Sequence, residues 1–181
     1  MRNRENSRNS SGRSSAGKIA QYGLLIALAF IFSYVEALIP LPVPVPGIKL
    51  GLANLVNVVG LYTVGAAGTL VVGLLRIVMV GFTFSNPGSM LYAMAGGILS
   101  LAVMALAKKM DWFDKTGVSI LGGVFHNIGQ LSMAAWITKT AGVFTYLPVL
   151  LVAGVITGGV IGLLGGLVTE RIAPVVQGMR R

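Results

Sequence analysis

Cysteine is absent from this chain, which removes disulfides, zinc–thiolate sites and thiol catalysis from consideration. Histidine occurs once and acidic residues five times, too few for a multi-ligand metal centre. Charged residues make up 10% of the 181 positions, where soluble domains carry about 25%. No GxxxxGK[ST] pattern occurs, so ATP binding through a P-loop is excluded. No Ser/His/Asp nucleophile set is visible either. Catalysis, a bound cofactor and a metal are therefore not expected from these residues. What fills the chain instead is apolar: 55% of it is hydrophobic, and mean hydropathy is +0.83. Such a chain cannot cover a soluble surface.

The little charge present is strongly positive, at net +9. Its placement argues against a nucleic-acid partner. Arg2, Arg4, Arg8, Arg13 and Lys18 sit in a leader rich in Ser, Asn and Arg, and Arg171, Arg180 and Arg181 sit in the tail. No aromatic residues interleave with the leader cations, as a stacking platform needs. Anchoring against anionic membrane lipid suits them better. Residues 1–17 have a disordered composition, so the chain divides into a basic leader (1–17), a membrane domain (18–170) and a basic tail (171–181). The first apolar stretch is too long for a cleaved signal peptide and lacks a small-residue cleavage site.

A helix needs about 20 apolar residues to cross the hydrocarbon core. Six stretches approach this: Ile19 to Ile39, Leu50 to Val64, Ala67 to Phe82, Met90 to Ala107, Val118 to Ile137 and Leu147 to Val168. The second and third are short and separated only by Gly65–Gly68, so a single re-entrant pair is the alternative there. The expected fold is an all-α integral membrane protein of about six transmembrane helices in one bundle. With the N-terminus inside, eleven of fourteen Lys/Arg fall on the inner side. Only Lys49 and Lys139 stay outside, and Arg76 lies within a span. The positive-inside rule then places both ends in the cytoplasm, in a multi-pass protein of a bacterial plasma membrane.

Two outer connections stand out. Pro40 to Gly47 (PLPVPVPG) cannot be helical and reads as a stiff polyproline-like strap. Phe84 to Gly88 (FSNPG) reads as a turn. Each is either a plain connection or a lid.

Charged groups inside a span are costly and usually functional. This chain has Glu36, Arg76 and His126, with the amides Asn54, Asn57, Asn127 and Gln130. At 1.5 Å per residue, Glu36 lies roughly 5 Å below the outer end of its span, Asn54 and Asn57 roughly 6–10 Å, and Arg76 and Gln130 about 10 Å. His126 is near the middle. Spacings of three and four residues put Asn54 with Asn57, and His126 and Asn127 with Gln130, on common helix sides. An outward-opening pocket explains this layer; interhelical packing and a Glu36–Arg76 pair are the alternative. A buried Arg with spare donors suits a ligand carboxylate or phosphate. Lys49, beside a glycine and a helix N-terminus, adds to the anion preference.

The sixth stretch carries Gly154, Gly158, Gly162 and Gly166 at four-residue spacing, a face that lets helices approach closely. It serves either internal packing or the docking of a separate membrane subunit. Asp111 and Asp114 form a DxxD in an inner loop. Paired aspartates can hold magnesium against a diphosphate, but no second cluster completes a two-site arrangement.

Several segments together resemble a known family: Pro46–Asn54 (PGIKLGLAN) with Leu61-Tyr62, Leu75-Arg76, Tyr92–Gly97 (YAMAGG) with Leu99-Ser100-Leu101, and Gly122–Gln130 (GGVFHNIGQ). That family is heptaprenyl diphosphate synthase component I, also called the Gx transporter family, and the resemblance runs roughly from Ile19 to Val168. The name implies a role in making an isoprenoid chain for menaquinone, although aspartate-rich prenyltransferase motifs are missing. The family is also similar to the substrate-binding subunits of energy-coupling factor (ECF) transporters. That likeness implies six helices, cytoplasmic ends, a pocket capped by the first outer loop, and a coupling subunit with ATPases that docks on small residues of helix one. Those residues would be Gly23, Ala27, Ala29 and Ser33, since a clean Ala-xxx-Ala is lacking. The expected ligand is small, vitamin- or cofactor-like and anionic. Arg76, Lys49 and His126 would contact it, and Asn54, Asn57, Asn127 and Gln130 would supply directional hydrogen bonds. Glu36 would position Arg76 or bind a cationic group. The other readings are a membrane component of a prenyl diphosphate synthase and a scaffold in a membrane redox complex.

Overall fold

A computed structural model describes residues 2–39 and 51–180, and its regular elements are all helices. They are α1 (Arg2–Leu38), α2 (Leu52–Thr63), α3 (Gly65–Thr83), α4 (Pro87–Met110), α5 (Lys115–Thr138) and α6 (Leu147–Arg180), with a 3-10 segment Ala141–Tyr146 leading into α6. Four stretches are long and apolar enough to cross a membrane: Ala16–Leu38, Gly65–Thr83, Pro87–Met110 and Ala141–Ile172. Helix α5 has the length, but His126, Asn127 and Gln130 dilute its apolar character. Helix α2 has 12 residues. Its span of about 18 Å falls short of the roughly 30 Å hydrocarbon core.

The shortest helix occupies the centre. Val58 and Leu61 of α2 join Leu101, Met104, Ala107, Val118 and Ile161 in one core cluster. Val56 and Val59, from the rest of its circumference, join Leu25, Ala29 and Val72 in a second. Apolar side chains on opposite sides bury the helix, and α2 sits between α1 and α3 on one side and α4, α5 and α6 on the other. Both of its ends are held by charged groups from other helices. Glu36 Oε1 accepts from the Gly51 N–H at 2.5 Å at its start, and Lys108 Nζ donates to the Leu61 carbonyl at 2.7 Å at its end. These signs match the helix dipole. Outward faces carry Leu24, Ile31, Val71, Ile98, Ile156 and Leu163, all exposed. In water such a belt would be a liability; against lipid it is the expected surface.

The glycine ladder packs internally. A Cβ on Gly158 would lie 2.8 Å from Ile120 Cα, and one on Gly162 2.7 Å from Thr116 Cα, both on α5. Gly123 and Gly154 likewise meet backbone to backbone. On the other side of α5, a Cβ on Gly129 would lie 2.9 Å from Gly96 Cα of α4. Helices α4, α5 and α6 therefore touch along their main chains.

Boundaries differ from expectation in instructive ways. Helix α1 begins at Arg2, so the leader continues the helix. It contains no proline, and extending an existing helix adds a hydrogen bond per residue without a new nucleus. Helix α6 runs to Arg180 through Pro174. Pro87 and Gly88 belong to α4: Asn86 caps it, accepting from the Ser89 N–H at 2.8 Å with the Ser89 side chain reciprocating. Helices α2 and α3 are distinct and meet at Val64, where Gly65 takes a φ of +84° that favours glycine. The proline strap and Lys49 lie outside the described residues.

Lys115 bonds Glu170 at 2.7 Å, and Ile172 packs on the Leu25 cluster beside Tyr22. The α4–α5 connection, the end of α6 and the first half of the apolar part of α1 thus share one end of the bundle. The polar layer sits toward the other.

Candidate functional site

Gly51 starts the site. Its φ of +77° is open to glycine and costly for other residues, and it turns the backbone N–H onto Glu36 from the last turn of α1. One turn into α2, Asn54 Oδ1 accepts from Asn57 Nδ2 at 3.3 Å. Arg76 approaches from α3, and its Nη1 donates to Ser33 Oγ at 3.3 Å. Ser33 in turn donates to the Ala29 carbonyl at 2.8 Å. The Arg76 Nε is buried with no partner among the described residues. From α5, Asn127 Nδ2 donates to the Leu150 carbonyl at 2.6 Å, which tethers the start of α6. His126 and Gln130 stand where Gly96 of α4 lets α5 come close.

These groups surround one cavity of about 170 Å3. All six helices line it, with Glu36, Asn54, Arg76, His126, Asn127 and Gln130 among its walls. Ile77, Val80, Phe84 and Met90 supply apolar walls. Phe84 packs edge-on against Tyr34 and tilted against Phe30, with ring centroids 5.5 and 5.6 Å away. Beneath lies a second cavity of about 20 Å3, which shares Asn54 and Gly51 with the first and adds Asn57, Ser100 and Ser119. The Asn57 Oδ1 is buried there without a partner among the described residues.

Six of the eight expected binding residues thus share the main cavity. Asn57 lines the lower one, and Lys49 is outside the described residues. Two expectations change. Glu36 and Arg76 form no ion pair: among the described residues that interaction belongs to Lys115 and Glu170. The reason is local, since the Gly51 N–H lies closer to the carboxylate and has no helical partner of its own. The small residues of α1 also divide. Gly23 and Ala27 are exposed, as docking requires. Ala29 is fully buried in the core and Ser33 is buried against Arg76, so this pair faces the interior of the bundle. Ser33, Ser89 and Thr157 were not expected at the cavity. Ser33 was within reach of sequence reasoning, because it stands three residues before Glu36 on the same helix face.

Asp111 and Asp114 are exposed near Lys115, at the opposite end. Asp111 ends α4 in the left-handed region, and Asp114 caps α5 by accepting from the Gly117 N–H at 2.8 Å. Both have structural work. No group of three or more potential metal ligands occurs among the described residues.

Residues 25–168 match the family model of heptaprenyl diphosphate synthase component I. The match covers most of the chain, which belongs to this family. Its description names one component of a multi-subunit synthase. No curated protein and no solved structure matches the chain.

Proposed function

We propose that this member of the heptaprenyl diphosphate synthase component I family is a membrane substrate-capture subunit of an ECF-type importer. It takes up a small vitamin- or cofactor-like ligand that carries an anionic group. A separate coupling subunit with ATPases drives its reorientation, since the chain has no nucleotide motif of its own. The observation that carries the reading is the cavity lined by all six helices, with a partly buried Arg76 whose Nε has no partner among the described residues. Few convergent polar groups among apolar walls are what a ligand site looks like. Arg76 would take the anionic group, helped by His126 and Lys49. Asn54, Asn127 and Gln130 would orient the rest, and Asn57 would bond a group or water reaching the lower cavity. Gly23 and Ala27 are the exposed small residues of α1 open to the coupling subunit.

Mass spectrometry of small molecules that co-purify with the protein in detergent identifies the ligand. Adding it back should raise the melting temperature, and Arg76→Ala should abolish that rise. A ligand that stabilises Arg76→Ala as well as the parent would overturn the reading. A specific rise also excludes a ligand-free scaffold.

The family's description favours a second reading, a membrane component that supports prenyl diphosphate synthesis. It would use Asp111 and Asp114 to hold magnesium. Asn caps helices as well as Asp and tolerates the left-handed region. The double change Asp111→Asn, Asp114→Asn therefore removes charge while keeping the fold. We expect it to leave prenyl product formation with the soluble partner unchanged; a loss would favour the synthase reading.

A further inference from the structure

The charges of the cavity constrain the ligand further. Arg76 and Glu36 both line it, yet they do not pair. Among the described residues, Arg76 bonds a neutral hydroxyl and keeps Nε unpartnered, while Glu36 bonds a neutral backbone N–H. Opposite charges in one low-dielectric space attract strongly, and removing each from water is costly unless it is compensated. Among the described residues, Arg76, Glu36 and His126 are the titratable side chains of the cavity walls. Arg76 and Glu36 thus present a plus and a minus to the cavity that are not directly bonded to each other.

A simple anion would satisfy Arg76 but draw its charge away from Glu36, which would then repel the bound anion. A simple cation would do the reverse. A molecule with both charges compensates both groups at once. We propose that the ligand is dipolar: a carboxylate or phosphate on Arg76 and a cationic nitrogen on Glu36, spanning the gap between them. The proposal rests on the substrate-capture reading and narrows its ligand class. Size agrees, since the cavity of about 170 Å3 is comparable with the roughly 150 Å3 that accepts one benzene ring.

The test uses the full-length protein in detergent and two matched sets of probes at millimolar concentration. One set is benzoate, benzylamine and 4-(aminomethyl)benzoate; the other is butyrate, butylamine and 4-aminobutyrate. The expected result is a melting rise with the amino-carboxylates that exceeds the rise with either singly charged relative. Glu36→Gln, which keeps an acceptor for Gly51, and Arg76→Lys, which keeps a charge, should each weaken amino-carboxylate binding at least about tenfold, the factor for losing one charge-assisted bond. The ranking in the parent protein needs no variant to fold. A rise with benzoate or butyrate that equals the amino-carboxylate rise and survives Glu36→Gln would overturn the dipolar ligand and leave substrate capture standing. No rise with any probe, together with no co-purifying small molecule, would overturn both.

Discussion

Glu36 shows how much a single side chain can hold in this bundle. Its carboxylate secures the N–H of Gly51, the residue just before α2, while its side chain lines the cavity. Glu36→Ala should therefore destabilise the protein as well as impair binding. Leaving a partly buried N–H unbonded costs about 1–3 kcal/mol, read as a lower melting temperature without ligand. Glu36→Gln should keep most of that stability, and an equal loss in both variants would contradict the capping role. At this scale the residues were legible and their partners were not. Charged and amide side chains inside apolar spans announce themselves by type, and depth along the helix places them in one layer. That Arg76 would find Ser33, and Glu36 the Gly51 N–H, depends on helix rotations that spacing does not encode.

Among the elements, the α5–α6 contact is the most sharply defined by sequence. Glycines every fourth residue mark a close approach, and Gly154, Gly158 and Gly162 make it against α5. Their neighbour Gly159 meets only Ile120 Cδ1, at 4.0 Å from an added Cβ. The two positions should respond oppositely. Gly158→Ala must push main chains apart and should cost about 1–3 kcal/mol as overpacking does. Gly159→Ala should be neutral or stabilising, because alanine relieves the roughly 0.5–1 kcal/mol cost of glycine in a helix. Thermal unfolding in detergent distinguishes them, and equal effects would mean that the packing face is assigned wrongly. Hydropathy made α2 short, but its central position was hidden. A 12-residue apolar stretch looks the same whether it crosses lipid beside others or is enclosed by them.

For the whole molecule, the clustering of Lys108, Lys109 and Lys115 with the late part of α6 agrees with a single cationic end. That end should face the cytoplasm. The absence of cysteine makes the check direct. Thr140→Cys, at an exposed position on the cavity end, should react with a membrane-impermeant maleimide on intact cells. Lys109→Cys, also exposed, should react only after the membrane is opened. The reverse pattern would invert the bundle and point the cavity inward.

Sequence alone determined the membrane class, the helical stretches, the basic end and the charged and amide groups at the cavity, but not its hydroxyls. These follow from composition, run length and spacing, which are properties of the chain read locally. The tertiary structure decided the rest. It enclosed α2, turned Ala29 and Ser33 inward while leaving Gly23 and Ala27 outside, and gave Glu36 and Arg76 different hydrogen-bond partners. Each outcome is a choice among competing neighbours, made by packing and by the nearest unsatisfied hydrogen-bonding group, and those neighbours are far apart in the chain.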